Sequence, residues 1–372
     1  MGKIKVCHMT SVHGKEDVRI FHKECVSLAE AGFEVYLVER GESCDKNGVH
    51  IVGVGDIPDS RLKRMTEGSK RVYEAALALD CEIYHFHDPE LLPYGLKLKR
   101  KGKKVVFDSH ENTALSIREK EYLPGLVRSS IASLYANYEK SVCRALDAVV
   151  TVTPTQTDYF KTFNPNTTEV TNYPILPDEY KKPSFEKKAV AFAGGISKQW
   201  NHDLIIRALE KLPDCSYVLC GGDNAYRKSL EDLPSWDKVE YKGKIPHAEV
   251  SEVLSQCMVG MALLTPGLNT AWNIGTMGNT KIFEEMMAGL PVVCTGFDLW
   301  REFVEKRNCG ICVDPNNLDE IAAAIKRLTD DPQLAEEMGS NGRQAVADTY
   351  NWSTQIPKLI GLYTHILEEK KA

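Results

Sequence analysis

The stretch "MGNTKIFEEMMAGLPVV", residues 277–293, decides the fold, because it reads as a helix passing at once into a strand. Asn279 or Thr280 can cap the helix, Gly289 marks its end, Pro291 blocks continuation, and the apolar run "PVVCTG" follows as the strand. Inside the helix, Ile282, Phe283, Met286 and Met287 fall on one face by 3.6-residue periodicity, with Lys281, Glu284 and Glu285 on the other. Lys281 stands in the first turn, at the positive end of the helix dipole. A cation there is unfavourable by roughly 0.3–1 kcal/mol at an exposed site, unless an anion lies between it and the free N–H groups.

Outward from this unit, short β-rich runs alternate with helical patterns along the chain, which predicts parallel sheets built from βαβ units. The first series is "IKVCHMT", "EVYLVE", "HIVGVG", "EIYHFH", "KVVFDS", "AVVTVT" and "TEVTNY"; the second is "AVAFAGG", "SYVLCGG", "VEYKGK", "VGMALLT", "PVVCTG" and "GICVDP". Together they are too many strands for one doubly wound sheet, so the reading is α/β with two Rossmann-like domains. Between the series, "NYPILPDEYKKPSFEKK" (172–188) breaks both periodicities with three prolines and several charges. The expected organisation is an N-terminal domain over 1–172, a linker over 173–187, a second domain over 188–352, and a helix over 353–372 crossing back to the first domain. Two such domains turn the carboxyl ends of their sheets toward one interdomain cleft, where open parallel sheets bind ligands.

At 372 residues, with 43% hydrophobic and 26% charged residues, the chain has apolar material for two ordinary domains. A net charge of -6 argues against a whole-protein nucleic-acid footprint. The eleven cysteines are scattered and mostly lie in apolar runs, as buried free thiols of a reducing compartment do. Cys309 and Cys312 form a C-x-x-C without a second pair or nearby histidine, so metal or redox work is not expected there. "MGKIKVCHMTSV" begins as a strand with no signal-peptide core, and no apolar run reaches the 18 residues of a bilayer span. The expectation is a cytoplasmic protein, with the inner face of the plasma membrane as an option.

Lys281 with its helix N-terminus makes a phosphate site, and Glu284 one turn on can accept bonds from vicinal hydroxyls. A carboxylate holding a ribose diol beside a held diphosphate describes a nucleotide-sugar pocket. In "AVAFAGGISKQWNHDLIIRAL", Gly194 and Gly195 follow a strand where the backbone can approach a phosphate, and Lys198 adds charge. The loop "KGKIPH" offers backbone groups for a nucleobase.

Glu284, Met286, Gly289 and Pro291, in "EEMMAGLPVV", resemble the E-x-M-x-x-G-x-P signature of the GT-B glycosyltransferases of family four, retaining transferases that use nucleotide-sugar donors. The likeness extends through "RIFHKECVSLAEAGFEVYLVERG", "FDSHE", "NYP" and "NWSTQIPKLIGLYTHIL". It implies that Glu284 binds the donor ribose, that Gly194, Gly195 and the turn Asn279, Thr280 and Lys281 surround the diphosphate, and that Lys244 and Ile245 edge the base pocket. His110 matches the family's histidine that approaches the donor sugar. Two positions depart from the family: Thr276 replaces an acidic residue, and Trp200 and Asn201 stand where a basic pair is usual, leaving the charge to Lys198 and Lys281. The resemblance also implies retention, with the departing diphosphate oxygen taking the acceptor proton. An inverting enzyme would need a base, and Asp17 is then the candidate, with Arg19 pairing it or an acceptor phosphate. His13, Gly14, Arg19, His87 and Glu111 are the candidate acceptor contacts.

No D-x-D occurs, so neither a metal ion nor a cofactor is expected, the nucleotide sugar being a substrate. The expected acceptor is a lipid-linked or other glycan of capsule, exopolysaccharide or lipopolysaccharide assembly. The basic runs "KLKRKGKK" (97–104) and "RLKRMTEGSKR" (61–71), with the apolar and basic "YLPGLVRSSIASLYANYEKSV" (122–142), suggest peripheral contact with an anionic membrane. Rival readings are a nucleotide-sugar epimerase and a non-catalytic nucleotide-sugar-binding partner. A nicotinamide dehydrogenase is disfavoured because Pro58 takes the third glycine position after "GVG".

Overall fold

The computed structural model describes residues 2–57, 60–118 and 124–369; Pro58 and residues 122–123 lie outside them. The chain divides into two compact units, Met1–Asn172 with Trp352–Ala372, and Tyr173–Asn351.

The first unit holds an eight-stranded sheet: β1 (Lys5–Met9), β2 (Glu34–Glu39), β3 (Cys44–Lys46), β4 (Val49–Gly53), β5 (Ile83–Phe86), β6 (Lys104–Ser109), β7 (Ala148–Thr151) and β8 (Thr167–Glu169), in the order β3-β4-β2-β1-β5-β6-β7-β8. Every pair is parallel except β3 with β4. Strand β3 was not expected from the sequence, because it is short, largely exposed and carries no apolar run. The strand order changes direction between β1 and β5, the switch point at which such sheets take ligands.

Side chains alternate across each strand. Cys7, Met9, Tyr84, Phe86, Val105 and Phe107 share one buried cluster, whereas Val6, Ile83 and Val106 share another. His8, His85 and Asp108, two residues further along their strands, therefore stand on the second face. That face is covered by the wide-turned helix Val18–Cys25, its continuation Val26–Glu30 and the C-terminal helix Ile356–Glu368, through Ile20, Phe21, Leu28, Leu359, Leu362, Tyr363 and Ile366. Each enclosed aliphatic or aromatic side chain contributes about 1.5–3 kcal/mol relative to exposure, which holds the C-terminal helix on this unit.

The second unit holds β9 (Ala189–Ala193), β10 (Ser216–Cys220), β11 (Val239–Gly243), β12 (Val259–Ala262), β13 (Val292–Thr295) and β14 (Gly310–Val313), all parallel, in the order β11-β10-β9-β12-β13-β14. The six strands read from the sequence are the six found, and the switch point falls between β9 and β12. The helix Thr280–Met287 starts on Asn279, whose side chain accepts from the Lys281 N–H at 3.2 Å. Gly289 follows it at φ +82°, a left-handed conformation that glycine takes without strain, and a Cβ there would lie 2.2 Å from the Tyr180 hydroxyl.

One sequence assignment is corrected. Glu285 is buried rather than on a solvated face, because the helix is sandwiched between β12 and the helix Pro332–Asp348. Its carboxyl packs against Gly260 with neither oxygen hydrogen-bonded to a side chain, and burial pushes its pKa well up, toward the neutral acid.

Buried histidines give the fold an acid limit. Burial pushes His202 down to about 3. An unfolded chain binds a proton at this residue from about pH 6.5 downward while the folded chain refuses it, so stability falls with pH in the window between the two values. The expected slope is about 1.4 kcal/mol per pH unit from this group alone. Melting curves should drop below pH 6.5 and fall less steeply for His202→Gln; equal slopes would dismiss His202 as the cause.

Candidate functional site

In the second unit, Ala193, Gly194, Gly195, Cys220, Gly221, Gly222, Lys244, Ile245, Val250, Lys281 and Glu284 line a cavity of about 490 Å³. Glycine pairs end both β9 and β10, so the floor is bare backbone. Lys281 lies along this floor: a Cβ on Gly194 would sit 2.6 Å from its Cε. Its Nζ donates to Glu284 Oε2 at 2.8 Å, an i,i+3 pair whose side chains are 24% and 16% exposed. Lys281 thus meets a carboxylate of its own helix.

Of the residues singled out in this unit, Gly194, Gly195, Lys244, Ile245, Lys281 and Glu284 come together around the cavity, while Asn279 and Thr280 form the helix start beside Lys281. Lys198 is exposed on a short 3-10 turn, Lys198–Trp200, and is not part of the lining. Gly221, Gly222 and Val250 were missed, although the double glycine of "SYVLCGG" repeats the signal read after β9. Thr276 is engaged locally: its Oγ1 accepts from the Gly278 N–H at 3.1 Å and its carbonyl from Trp300 Nε1 at 2.8 Å.

In the first unit, a polar cluster gathers at the switch point. Arg19 donates to Asp108 through Nε (3.0 Å) and Nη2 (2.9 Å) and to the Val170 carbonyl through Nη1 (2.9 Å). Asp108 Oδ2 also lies 3.0 Å from His110 Nε2 and 3.3 Å from His87 Nδ1. Burial alone would raise the Asp108 pKa, but Arg19, His110 and His87 together hold it well below the usual carboxylate range. Glu24, equally buried, is pushed well up by desolvation and by Asp108 beside it.

This placement corrects two expectations. The Arg19 side chain is buried and committed to Asp108, so it is not a surface contact for an acceptor phosphate. His87 is likewise enclosed, bonded to His8 (2.9 Å) and within 3.1 Å of His110. Asp17 caps the helix Val18–Cys25 through Oδ1, which accepts from the Arg19 and Ile20 N–H groups, and its Oδ2 lies 2.8 Å from His13 Nδ1. Burial opposes ionisation, yet the His13 and Ile20 bonds outweigh it and hold Asp17 well below its usual pKa, making it a weak base. His13 and His110 are half-buried, 5.9 Å apart between ring centres, and Gly14 and Glu111 are exposed. His8, His85 and Asp108 were missed; the period-two spacings in "YHFH" and "FDSH" place such groups on one sheet face, but partners such as His87 for His8, Arg19 for Asp108 and Tyr363 for His85 stand 79, 89 and 278 residues away in the chain.

Two family models match the chain, "Glycosyltransferase Family 4" over residues 19–172 and "Glycosyl transferases group 1" over 178–345. The chain belongs to this glycosyltransferase family, family four. It is 28% identical over 189 residues to the alpha-D-kanosaminyltransferase of Streptomyces kanamyceticus, covering 49% of this chain and 46% of that protein. It is also 28% identical over 186 residues to the GDP-mannose-dependent alpha-(1-6)-phosphatidylinositol monomannoside mannosyltransferase of Mycolicibacterium smegmatis, covering 46% of each. The chain spans about half the length of the curated relatives it matches. Among solved structures, sucrose-phosphate synthase from Thermosynechococcus elongatus superposes with a TM-score of 0.76 at 17% identity, over 99% of this chain and 100% of that one. Anabaena HepE, solved with UDP and glucose, gives 0.71 at 15% identity, over 97% and 100%. The fold is that of the GT-B glycosyltransferases.

Proposed function

We propose that the protein is a glycosyltransferase that moves a hexose from a nucleoside-diphosphate sugar, UDP first among the candidates, to a lipid-linked or other glycan acceptor of cell-surface polysaccharide assembly. The observation that carries this reading is the cavity of the second unit, where bare glycine backbone, a helix N-terminus, Lys281 and Glu284 converge. A diphosphate over Gly194 and Gly195 answers the electrostatic question posed by Lys281, since it places an anion between the lysine and the helix N–H groups. It draws Nζ away from Glu284 and leaves that carboxylate to the ribose hydroxyls. Lys244, Ile245 and Val250 are then left for the base. The relatives support a nucleoside diphosphate: HepE is solved with UDP, and the Mycolicibacterium enzyme is GDP-mannose-dependent.

Charge develops on the leaving diphosphate during transfer, and groups already aimed at it stabilise that charge more than the ground state. Lys281 and the helix N–H groups take this part, and the reading assigns no step to a metal ion. The leaving oxygen accepts the acceptor proton on the same face, which retains the anomeric configuration and fits an Asp17 already occupied as a cap. A thermal-shift series with UDP-, GDP- and ADP-sugars is expected to single out one donor. That donor should then release nucleotide only with acceptor present, giving a retained linkage by NMR. Sugar interconversion without acceptor would identify an epimerase instead, and binding without turnover a non-catalytic partner.

Membrane contact is part of the proposal. Among the described residues no helix is long and apolar enough to cross a membrane. The helix Gly125–Ala145, however, exposes Val127, Ile131, Leu134 and Tyr138 at helical spacing, with Arg128 and Arg144 on its flanks. The run 97–104 contributes less than its charge suggests, because Lys99 and Lys104 pair with Asp147 and Lys103 with Asp80. Vesicles containing anionic lipid should sediment the protein at physiological salt, and Leu134→Glu should reduce this; no sedimentation by the unaltered protein removes the membrane from the proposal. The proposal accordingly has the enzyme act in the cytoplasm, at the inner face of the plasma membrane.

A further inference from the structure

The buried cluster of the first unit has the donor set of a cation site: ligating atoms of Glu24, His85, His87 and Asp108 lie within 4.8 Å of one another. The cation's place is already taken. Arg19 bonds both Asp108 oxygens and stands 3.1 Å from Glu24 Oε1, so a divalent ion would have to displace a buried guanidinium. The arrangement is instead that of an oriented imidazole.

We propose that Asp108, gripped by Arg19, is a positioning residue that fixes His110 with its proton on Nε2 and presents the bare Nδ1 to a hydroxyl of the sugar substrate. The identity of that substrate rests on the glycosyl-transfer reading; the state of the ring does not. A two-pronged guanidinium bond keeps Asp108 ionised, and an ionised carboxylate only accepts hydrogen bonds. The atom facing it at 3.0 Å, His110 Nε2, must therefore carry the hydrogen. A neutral imidazole has one N–H, which leaves Nδ1 with its lone pair.

A row of buried imidazoles stands behind the ring. His87 Nδ1 stands 3.1 Å from His110 Nε2, His87 Nε2 bonds His8 Nδ1 at 2.9 Å, and the Tyr363 hydroxyl bridges His8 Nε2 (3.2 Å) and His85 Nδ1 (2.6 Å). Burial is the first cause keeping His8, His85 and His87 below the usual histidine pKa, so this ladder stays neutral and does not compete with Arg19 for Asp108. His110, its side chain 20% exposed, is the one rung described here that reaches solvent. Nδ1 accepts a hydrogen bond from the substrate hydroxyl and orients its oxygen; no bond to the ring forms or breaks.

The test combines ring 15N spectra with kinetics. In 15N-labelled protein, at a pH where the ring is neutral, the His110 signals, assigned by their loss in His110→Gln, are expected to show the Nε2–H tautomer. In Asp108→Asn the amide can donate to Nε2 and reverse the tautomer. Turnover is expected to fall about 10²-fold or more, with the donor KM within about threefold of the parent. An Nδ1–H tautomer in the unaltered protein overturns the proposal. So does an Asp108→Asn protein, folded by its melting curve, with unchanged tautomer and turnover. If Asp108→Asn does not fold, the spectrum of the unaltered protein alone decides. Should that protein transfer no sugar from any donor, the functional reading fails while the spectrum still judges the tautomer.

Discussion

Replacing Lys281 by alanine is expected to lower sugar transfer at saturating donor by about 10²–10³-fold, the effect of removing one preorganised charge-stabilising group. The melting temperature should hardly move. The Lys281–Glu284 pair is partly exposed, and an i,i+3 pair of this kind contributes only a few tenths of a kcal/mol to a helix. That is about a tenth of the roughly 3–4 kcal/mol at stake in the transition state. The two magnitudes separate the roles: a structural lysine would lose stability and keep turnover, whereas a phosphate-binding lysine does the reverse. Glu284→Gln offers the matching control, because weaker ribose binding should appear mainly in the donor KM. Normal transfer by Lys281→Ala at saturating donor would remove the phosphate role.

Arg19→Ala is expected to destabilise the first unit by about 3–5 kcal/mol, since it leaves a buried carboxylate without its cation. Arg19 is 5% exposed and supplies two bonds to Asp108 as well as one to the Val170 carbonyl. At about 2–4 °C per kcal/mol, the transition of this unit should fall by roughly 10 °C. Arg19→Lys keeps the charge and loses the fork, so it should recover only part of the loss. A melting curve for Arg19→Ala that overlays the parent would show that water, not the guanidinium, neutralises Asp108.

The fold class was legible because parallel strands are short, apolar and separated by helices, features carried by local sequence. Strand β3 escaped because antiparallel pairing at a sheet edge needs no apolar run. Glu285 was misplaced because periodicity locates one apolar face, whereas this helix is covered by β12 on one side and a second helix on the other. The residues lining the cavity were largely visible, since glycines after a strand and Lys281 with Glu284 are close in the chain. The histidine ladder was not. His8, His85, Asp108 and Tyr363 are joined across up to 355 residues, and no local spacing records such partners. Arg19 was read as a surface group for the same reason, its acid lying 89 residues away.

The helix Ile356–Glu368 has a consequence for how the molecule is made. Because its Leu359, Leu362, Tyr363 and Ile366 complete the core of the first unit, that unit is discontinuous in the chain, with the whole second unit translated in between. A nascent chain emerging from the ribosome carries the first sheet with one apolar face only partly covered, by the helices of residues 18–30, until residues 356–366 appear. The second unit, whose strands are contiguous in sequence, can fold in the meantime. Proteolysis or premature termination within this late segment therefore threatens the oldest part of the polypeptide, and a chaperone that shields exposed strands would be needed for the first half rather than the second.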